Sequence, residues 1–206
     1  MTETLRVSGG AGGLRTLVQR AEQLDAQALV RFQAVAAGRI DAFVTTPFQV
    51  FAARRIIGQV SRDKSVFSAQ TVLTALETGE LGQSMDAAWP GALPPKDNWV
   101  ELDVIPVDIV HRLADQGRDL TRQFSGPLGP PKSLLDQNVL AVSGHGHTAE
   151  VTMRAIFTCT ALGLIPSIGA RADVPRHLRV AKAGRWVRID APFGSVYESD
   201  GLNLFA

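Results

Sequence analysis

The sequence predicts an α+β fold in which several helices pack on an antiparallel sheet that ends in a C-terminal β-meander. Apolar residues recur at helical spacing over 14–35, which indicates an amphipathic helix. Short runs that suit strands, separated by turn residues, follow between 178 and 197. The apolar fraction of 45% and the charged fraction of 20% are typical of a globular protein with a buried core.

The chain of 206 residues is long enough for one sizeable domain. Residues 1–13 are rich in glycine and are predicted to form a flexible tail, which leaves 14–206 as a single α+β domain. The run Pro-Leu-Gly-Pro-Pro at 127–131 has the composition of a linker. A boundary inside the domain at 126–132 therefore stays open.

The first elements are a helix over 14–37 that ends at Gly38 and a strand over 41–45. Residues 47–57 admit two interpretations, a long strand or a helix. Thr46 suits an N-cap and Pro47 suits the first helical position, so we favour the helix.

The middle of the chain alternates helices with irregular segments. Ser68 is predicted to cap a helix over 69–78, and Gly79 to end it. Prolines make 84–100 irregular. Further helices are predicted over 106–124 and 153–163, and between them a hairpin over 139–151 turns at 144–147.

The C-terminal meander is predicted to begin with a hairpin whose turn is Ala183-Gly184. Its register pairs Lys182 with Arg185, Ala181 with Trp186, Val180 with Val187, Arg179 with Arg188, and Leu178 with Ile189. Because strand faces alternate, the four aliphatic residues then share one side. Arg179, Trp186 and Arg188 share the other.

This second face is the candidate anion- or nucleic-acid-binding site. Residues 171–188 contain six basic side chains and one acid. Two arginines directly opposite each other repel unless an anion lies between them, and a tryptophan offers a ring for stacking. The candidate residues are Arg179, Lys182, Arg185, Trp186 and Arg188. The alternative is that acidic residues from 63–137, a block with net charge −5, cover the face.

The overall charge of +1 marks neither a nucleic-acid-binding nor a membrane protein. A single cysteine, Cys159, cannot form an intrachain disulfide, and it is expected to be buried as a small apolar residue. No run of 18 apolar residues or signal peptide occurs. We therefore expect a cytoplasmic protein.

The sequence contains no motif that indicates a particular enzymatic reaction. His145 and His147 are weak candidates for metal ligands, since a zinc site needs at least three protein ligands and no second motif supplies them. Walker, zincin, nucleophile-elbow and Cys-x-x-Cys patterns are absent from the sequence. We expect no cofactor and no metal, and we assign no catalytic residue.

Two segments carry a resemblance to a known family. Trp-Pro-Gly-Ala-Leu-Pro-Pro at 89–95 and Ala-Pro-Phe-Gly-Ser-Val-Tyr at 191–197 resemble an uncharacterised family of actinobacterial proteins of about 200 residues. The resemblance implies a cytoplasmic bacterial protein and carries no activity.

Three functions follow as hypotheses. The favoured one is a non-catalytic interaction or regulatory protein with a protein partner or with itself as partner. The second is a nucleic-acid- or anion-binding protein that uses the basic hairpin, and the third is a small metal-dependent or acid–base enzyme.

Overall fold

A computed structural model describes residues 2–36, 38–124 and 131–199. The chain divides between Lys96 and Asp97 into two units. This division differs from the single domain predicted over 14–206, and it falls at the end of the proline-rich segment 89–96. The boundary considered at 126–132 falls within the second unit, and most of it lies outside the described residues.

The first unit is a six-stranded antiparallel sheet in the order β5-β2-β3-β4-β1-β6. Its two helices pack against each other on one face of this sheet. The elements are β1 (Glu3–Gly9), α1 (Ala11–Leu24), β2 (Leu29–Ala36), β3 (Arg39–Val44), β4 (Phe51–Val60), β5 (Val66–Ser68), α2 (Ala69–Thr78) and β6 (Glu80–Gly82).

Strand β1 occupies the place where a flexible tail was predicted, so that prediction was wrong. Leu5 is buried and pairs with Val60, and Gly58 lies against the Arg6 carbonyl, where a Cβ atom would come within 2.2 Å of the oxygen. Gly10 then turns the chain into α1 with a φ of 84°. The glycines here serve close strand contact and a left-handed turn.

The helix predicted over 14–37 ends at Leu24. The Asp25 carboxylate accepts a hydrogen bond from the Gln27 N–H at 2.8 Å, and this side-chain turn competes with the helix. Strand β2 follows, and within it Val30 and Phe32 are fully buried. The apolar residues of α1 and those of β2 happen to fall at helical spacing in the sequence, although the helix and the strand have different periods.

Residues 51–60 form a strand, so the helix favoured over 47–57 was wrong. The Thr46 hydroxyl donates to the Val50 carbonyl at 2.7 Å instead of capping a helix. Strand β4 pairs with β3 on one side and with β1 on the other. Its first three residues are buried, as expected for a strand covered on both faces.

The second unit has a four-stranded antiparallel sheet in the order β7-β10-β11-β12 and a separate hairpin, β8–β9. The elements are β7 (Val100–Pro106), α3 (Val107–Phe124), α4 (Lys132–Leu135), β8 (Asn138–Gly144), β9 (His147–Thr152), α5 (Met153–Ala161), β10 (His177–Ala183), β11 (Trp186–Ala191) and β12 (Gly194–Ser199). Helix α3 packs on α5, where Gly117 faces Phe157.

The predicted fold class, helices on an antiparallel sheet with a C-terminal meander, is confirmed. Helix α2 has the predicted bounds, with the Ser68 hydroxyl accepting from the Thr71 N–H at 3.1 Å and Gly79 in the left-handed region. The helices predicted over 106–124 and 153–163 and the hairpin over 139–151 are also present. Strand β7 was missed.

Candidate anion-binding face

The β10–β11 hairpin turns at Gly184-Arg185 and not at Ala183-Gly184, so the predicted register was wrong. The observed pairs are Ala183 with Trp186, Lys182 with Val187, Ala181 with Arg188, Val180 with Ile189, and Arg179 with Asp190. The φ angle is positive at Gly184, at 57°, and not at Arg185, as in a type II′ turn. The predicted turn would have needed a positive φ at Ala183, which a Cβ atom disfavours.

The sorting of side chains between the two faces survives this shift, because the register moved by an even number of residues. Leu178, Val180, Val187 and Ile189 are at most 2% exposed, on the face that packs against the helices. Arg179, Trp186 and Arg188 lie on the opposite face, which we call the arginine face. Arg179 and Arg188 are diagonal neighbours there rather than a facing pair.

Arg188 is held by side chains of its own unit. Its guanidinium contacts the Asp190 carboxylate at 2.9 Å and lies 4.5 Å from the ring centroid of Trp99. Tyr197, which faces Arg188 across the sheet, packs edge-on against Trp99 with a centroid distance of 5.9 Å. Ala181 on the other side has a short side chain, which leaves room for the arginine and the ring above it.

Asp190 has two further neighbours besides Arg188. It accepts a hydrogen bond from the Ser195 hydroxyl at 2.6 Å and is the cross-strand neighbour of Arg179. The sequence alternative, neutralisation within the chain, therefore holds for Arg188, but the carboxylate comes from the same strand and not from 63–137.

The other candidates divide into exposed and engaged side chains. Arg179 and Arg185 are exposed, and the Arg185 guanidinium lies 6.0 Å from the Trp186 ring centroid. Trp186 itself is buried, and Lys182 lies on the helix-covered face, where its ammonium donates to the Thr148 carbonyl at 2.7 Å. Of the five candidate residues, only Arg179 and Arg185 are exposed.

His145 and His147 belong to the turn of the β8–β9 hairpin. His145 and Gly146 have φ angles of 50° and 77°, which together define a type I′ turn, and both histidines are exposed. Among the described residues, no cluster of three or more histidine, cysteine, aspartate or glutamate side chains could hold a metal ion.

Cys159 lies fully buried in α5. Burial, and then the nearby Glu198 carboxylate, raise the pKa of the Cys159 thiol to about 12. Because the thiolate is the reactive form, this cysteine is inert at neutral pH. Glu198 accepts from the Thr152 hydroxyl at 2.7 Å at the start of the same helix.

Two ionic networks of the first unit were not predicted. Arg55 donates two hydrogen bonds of 2.7 Å to Asp41, its cross-strand neighbour. Arg62 contacts Glu3 at 3.0 Å and Asp86 at 2.7 Å. Cross-strand and long-range partners follow from register, which the sequence did not supply. Both networks connect strands or loops, which is a structural role.

The fold is similar to that of bacterial DNA polymerase sliding clamps. The chain matches a Eubacterium rectale protein provisionally described as a DNA polymerase III beta subunit (TM-score 0.56, 10% identity, 98% of this chain and 66% of that one). It also matches the sliding clamp of Caulobacter crescentus (0.54, 11%, 98% and 66%) and the Helicobacter pylori beta clamp bound to a DNA ligase peptide (0.52, 11%, 97% and 67%). The chain spans about two thirds of the length of these clamp chains.

The chain belongs to the family described as a domain of unknown function, DUF8185, which matches residues 94–203. A second domain of unknown function, DUF8010, matches residues 1–94. The boundary between them agrees with the division of the structure at Lys96. Comparison with curated proteins gave no significant match. Over the described residues, every helix is too short or too polar to cross a bilayer.

Proposed function

We propose that this chain is a non-catalytic protein that acts by binding a protein partner or further copies of itself on a clamp-like scaffold. The observation that carries the proposal is the similarity to sliding clamps over 98% of the chain. One of these clamps is described as bound to a DNA ligase peptide and another as a beta subunit. The first description is of a protein that binds a segment of another protein, and the second, a provisional one, is of a subunit.

Ionisable side chains that form ion pairs or are buried also favour a binding protein. Arg55 with Asp41 and Arg154 with Asp136 form close ion pairs, and each pair links two elements of the fold. Cys159 cannot act as a nucleophile at neutral pH because its thiol stays protonated. The contacts of these groups support a structural role for each of them.

The test is affinity purification of the full chain from its native cells, combined with light scattering on the pure protein at increasing concentration. A specific stoichiometric partner, or assembly beyond one copy, supports the proposal. A strictly monomeric protein that recovers no partner contradicts it. Stoichiometric metal by elemental analysis would favour the metal-dependent enzyme instead.

A second candidate function is nucleic-acid binding by the basic segment 171–188, through exposed arginines of the β10–β11 hairpin. Its support is the excess of six basic residues over one acid within 171–188, with Arg179 and Arg185 exposed. Helix α3 offers no comparable excess of positive charge, since it carries three arginines and three aspartates. In this candidate function the phosphate contacts come from the exposed hairpin arginines.

Fluorescence polarisation with labelled single- and double-stranded DNA tests this candidate, because affinity that depends on phosphate contacts falls steeply with salt. Arg179→Ala with Arg185→Ala should weaken binding, whereas Arg20→Ala on α1 should not. This candidate function would be excluded if the chain did not bind DNA at low salt. It would also be excluded if Arg20→Ala weakened binding as much as the double variant does.

We also propose an actinobacterial origin and a cytoplasmic location. The first is supported by the resemblance of 89–95 and 191–197 and by the use of 17 arginines against four lysines. The second is supported by the similarity to DNA polymerase clamps. Fractionation of cells that express the native protein tests the location.

A further inference from the structure

The helix-free face of the first unit's sheet is covered at one end and open at the other. Near the start of β4, Trp89 stacks on Phe51 with a centroid distance of 4.9 Å, and further along the same connecting segment the Lys96 ammonium donates to the Ala34 carbonyl at 2.7 Å. Toward the end of β4, Ile57 is 56% exposed on this same face. The segment that covers Phe51 does not reach Ile57.

A groove of about 260 Å³ lies beside Ile57, and we call it the Ile57 groove. It is lined by Arg6, Val7, Ser8, Gly38, Ile57, Gly58 and Gln59. The β-bulge of β1 places Gly9 opposite Ile57, where a Cβ atom would come within 3.2 Å of the isoleucine side chain. The missing side chain at Gly9 and the exposed one at Ile57 together leave an apolar depression on a strand surface.

Unneutralised cations border this depression. Arg6 lines it, and Arg39 is the cross-strand neighbour of Ile57. Among the described residues, neither arginine forms an ion pair, whereas the next cation along β4, Arg55, is neutralised by Asp41. The groove therefore combines one apolar contact with two guanidinium groups that carry free donors.

We infer that the Ile57 groove is a docking site for an acidic segment of a protein partner, with an aliphatic side chain on Ile57 and carboxylates on Arg6 and Arg39. An arginine fork matches carboxylate geometry and can form two hydrogen bonds to it. A hydrophobic contact with a polar rim is the usual anatomy of a protein interface. The inference rests on the proposed partner-binding function and names the surface and the chemistry of its partner.

The experiment uses the full ¹⁵N-labelled chain and a blocked peptide, Asp-Glu-Leu-Glu-Asp-Gly. Binding is followed by amide chemical shifts, with the peptide raised to about 1 mM because short segments bind weakly. Shifts at Arg6, Ser8, Gly38, Ile57 and Gly58 support the inference. Two control peptides replace the carboxylates by amides or the leucine by serine, and both should bind more weakly.

Matched variants separate the groove from general charge effects. Arg6→Glu with Arg39→Glu should weaken peptide binding roughly tenfold or more, and Ile57→Thr should weaken it while preserving a β-branched residue in the strand. Arg179→Glu with Arg185→Glu changes net charge equally and should leave binding within about twofold. Circular dichroism confirms that each variant folds.

Several outcomes would overturn the inference. These are absence of shifts in the groove, shifts that the groove variants leave unchanged, and self-association that Ile57→Thr abolishes, which would assign the groove to a second copy. If the groove variants still recover the same partner in affinity purification, the docking site is wrong and the proposed function stands. If the native chain recovers no partner but the peptide binds the groove, the chemistry of the docking site is supported and the proposed function is contradicted.

Discussion

Arg188 lies with its guanidinium over the ring of Trp99, 4.5 Å from the ring centroid, while the same group contacts Asp190. The ring of Trp99 orients the guanidinium plane, and the Asp190 carboxylate neutralises its positive charge. Arg188 therefore belongs to the architecture of the second unit, in contrast to the exposed Arg179 on the same face.

Arg188→Ala should lower the free energy of unfolding by roughly 1–2 kcal/mol, because it removes a half-buried ion pair and a cation–π contact and leaves Asp190 without its guanidinium. Arg179→Ala is the matched control and should stay within about 0.5 kcal/mol of the native chain. Urea unfolding followed by tryptophan fluorescence measures both. Equal losses in the two variants would contradict the distinction.

Gly58→Ala should destabilise the first unit by roughly 1–3 kcal/mol, because the added Cβ would lie 2.2 Å from the Arg6 carbonyl oxygen and the strands would have to separate. Gly12→Ala is the matched control. It is the second residue of α1 and has no atom within 4 Å of its added Cβ, so it should instead stabilise by roughly 0.4–1 kcal/mol. The melting temperature should fall in Gly58→Ala and rise in Gly12→Ala, as measured by thermal unfolding.

The network around Arg62 should make stability depend on pH in the acid range. Hydrogen bonds from Ser61 and then Arg62 hold the pKa of Glu3 below its ordinary 4.5, and the Arg62 hydrogen bond does the same for the pKa of Asp86, ordinarily 3.8. Carboxyls with lowered pKa contribute stability above their unfolded values and lose it as the pH falls through the folded ones.

Arg62→Ala should therefore be less stable than the native chain at pH 7, and the difference should shrink below about pH 4 as the carboxyls protonate. Arg20→Ala provides the control, with no such pH dependence, since no ion pair of Arg20 is found among the described residues. Melting temperatures across the acid range test this. A difference between native and Arg62→Ala chains that persists undiminished at pH 3 would refute the role of the network.

Cys159 should not react with a disulfide reagent such as dithionitrobenzoate at pH 8 in the folded protein. Its thiol is fully buried, so the reagent cannot reach the sulfur, and its pKa is raised to about 12, so almost none of the reactive thiolate is present. One equivalent should react in guanidinium chloride, where the pKa returns toward its ordinary value. Rapid modification of the native chain would show that α5 opens locally.

The elements that the sequence predicted are those whose signals are local. Ser68 and Gly79 mark the two ends of α2 within one stretch of chain, and the alternation of Val187, Arg188 and Ile189 places each on its face whichever register is used. Local hydrogen bonds and strand geometry are sufficient to determine these features.

The features that the sequence missed depend on distant pairing. Strand β1 has only two aliphatic residues, Leu5 and Val7, and its strand character comes from its pairing with residues 57–60. Trp99 and Asp190 joined the candidate site through the register of β7, β10 and β11. The spacing of residues within one strand does not identify the strands that pair with it, so these neighbours could not be deduced from the sequence pattern alone.

The pairing of Leu5 with Val60 also orders events during synthesis. At translation rates of about 5–20 residues per second, the ribosome needs roughly 3–11 s after making Leu5 before its partner exists. The nascent β1 must wait without a sheet, and its sequence suits that interval: Leu5 and Val7 alternate with Thr4, Arg6 and Ser8, and Gly9 and Gly10 follow. Such a segment has little tendency to aggregate, so β1 can remain unpaired until β4 has been made.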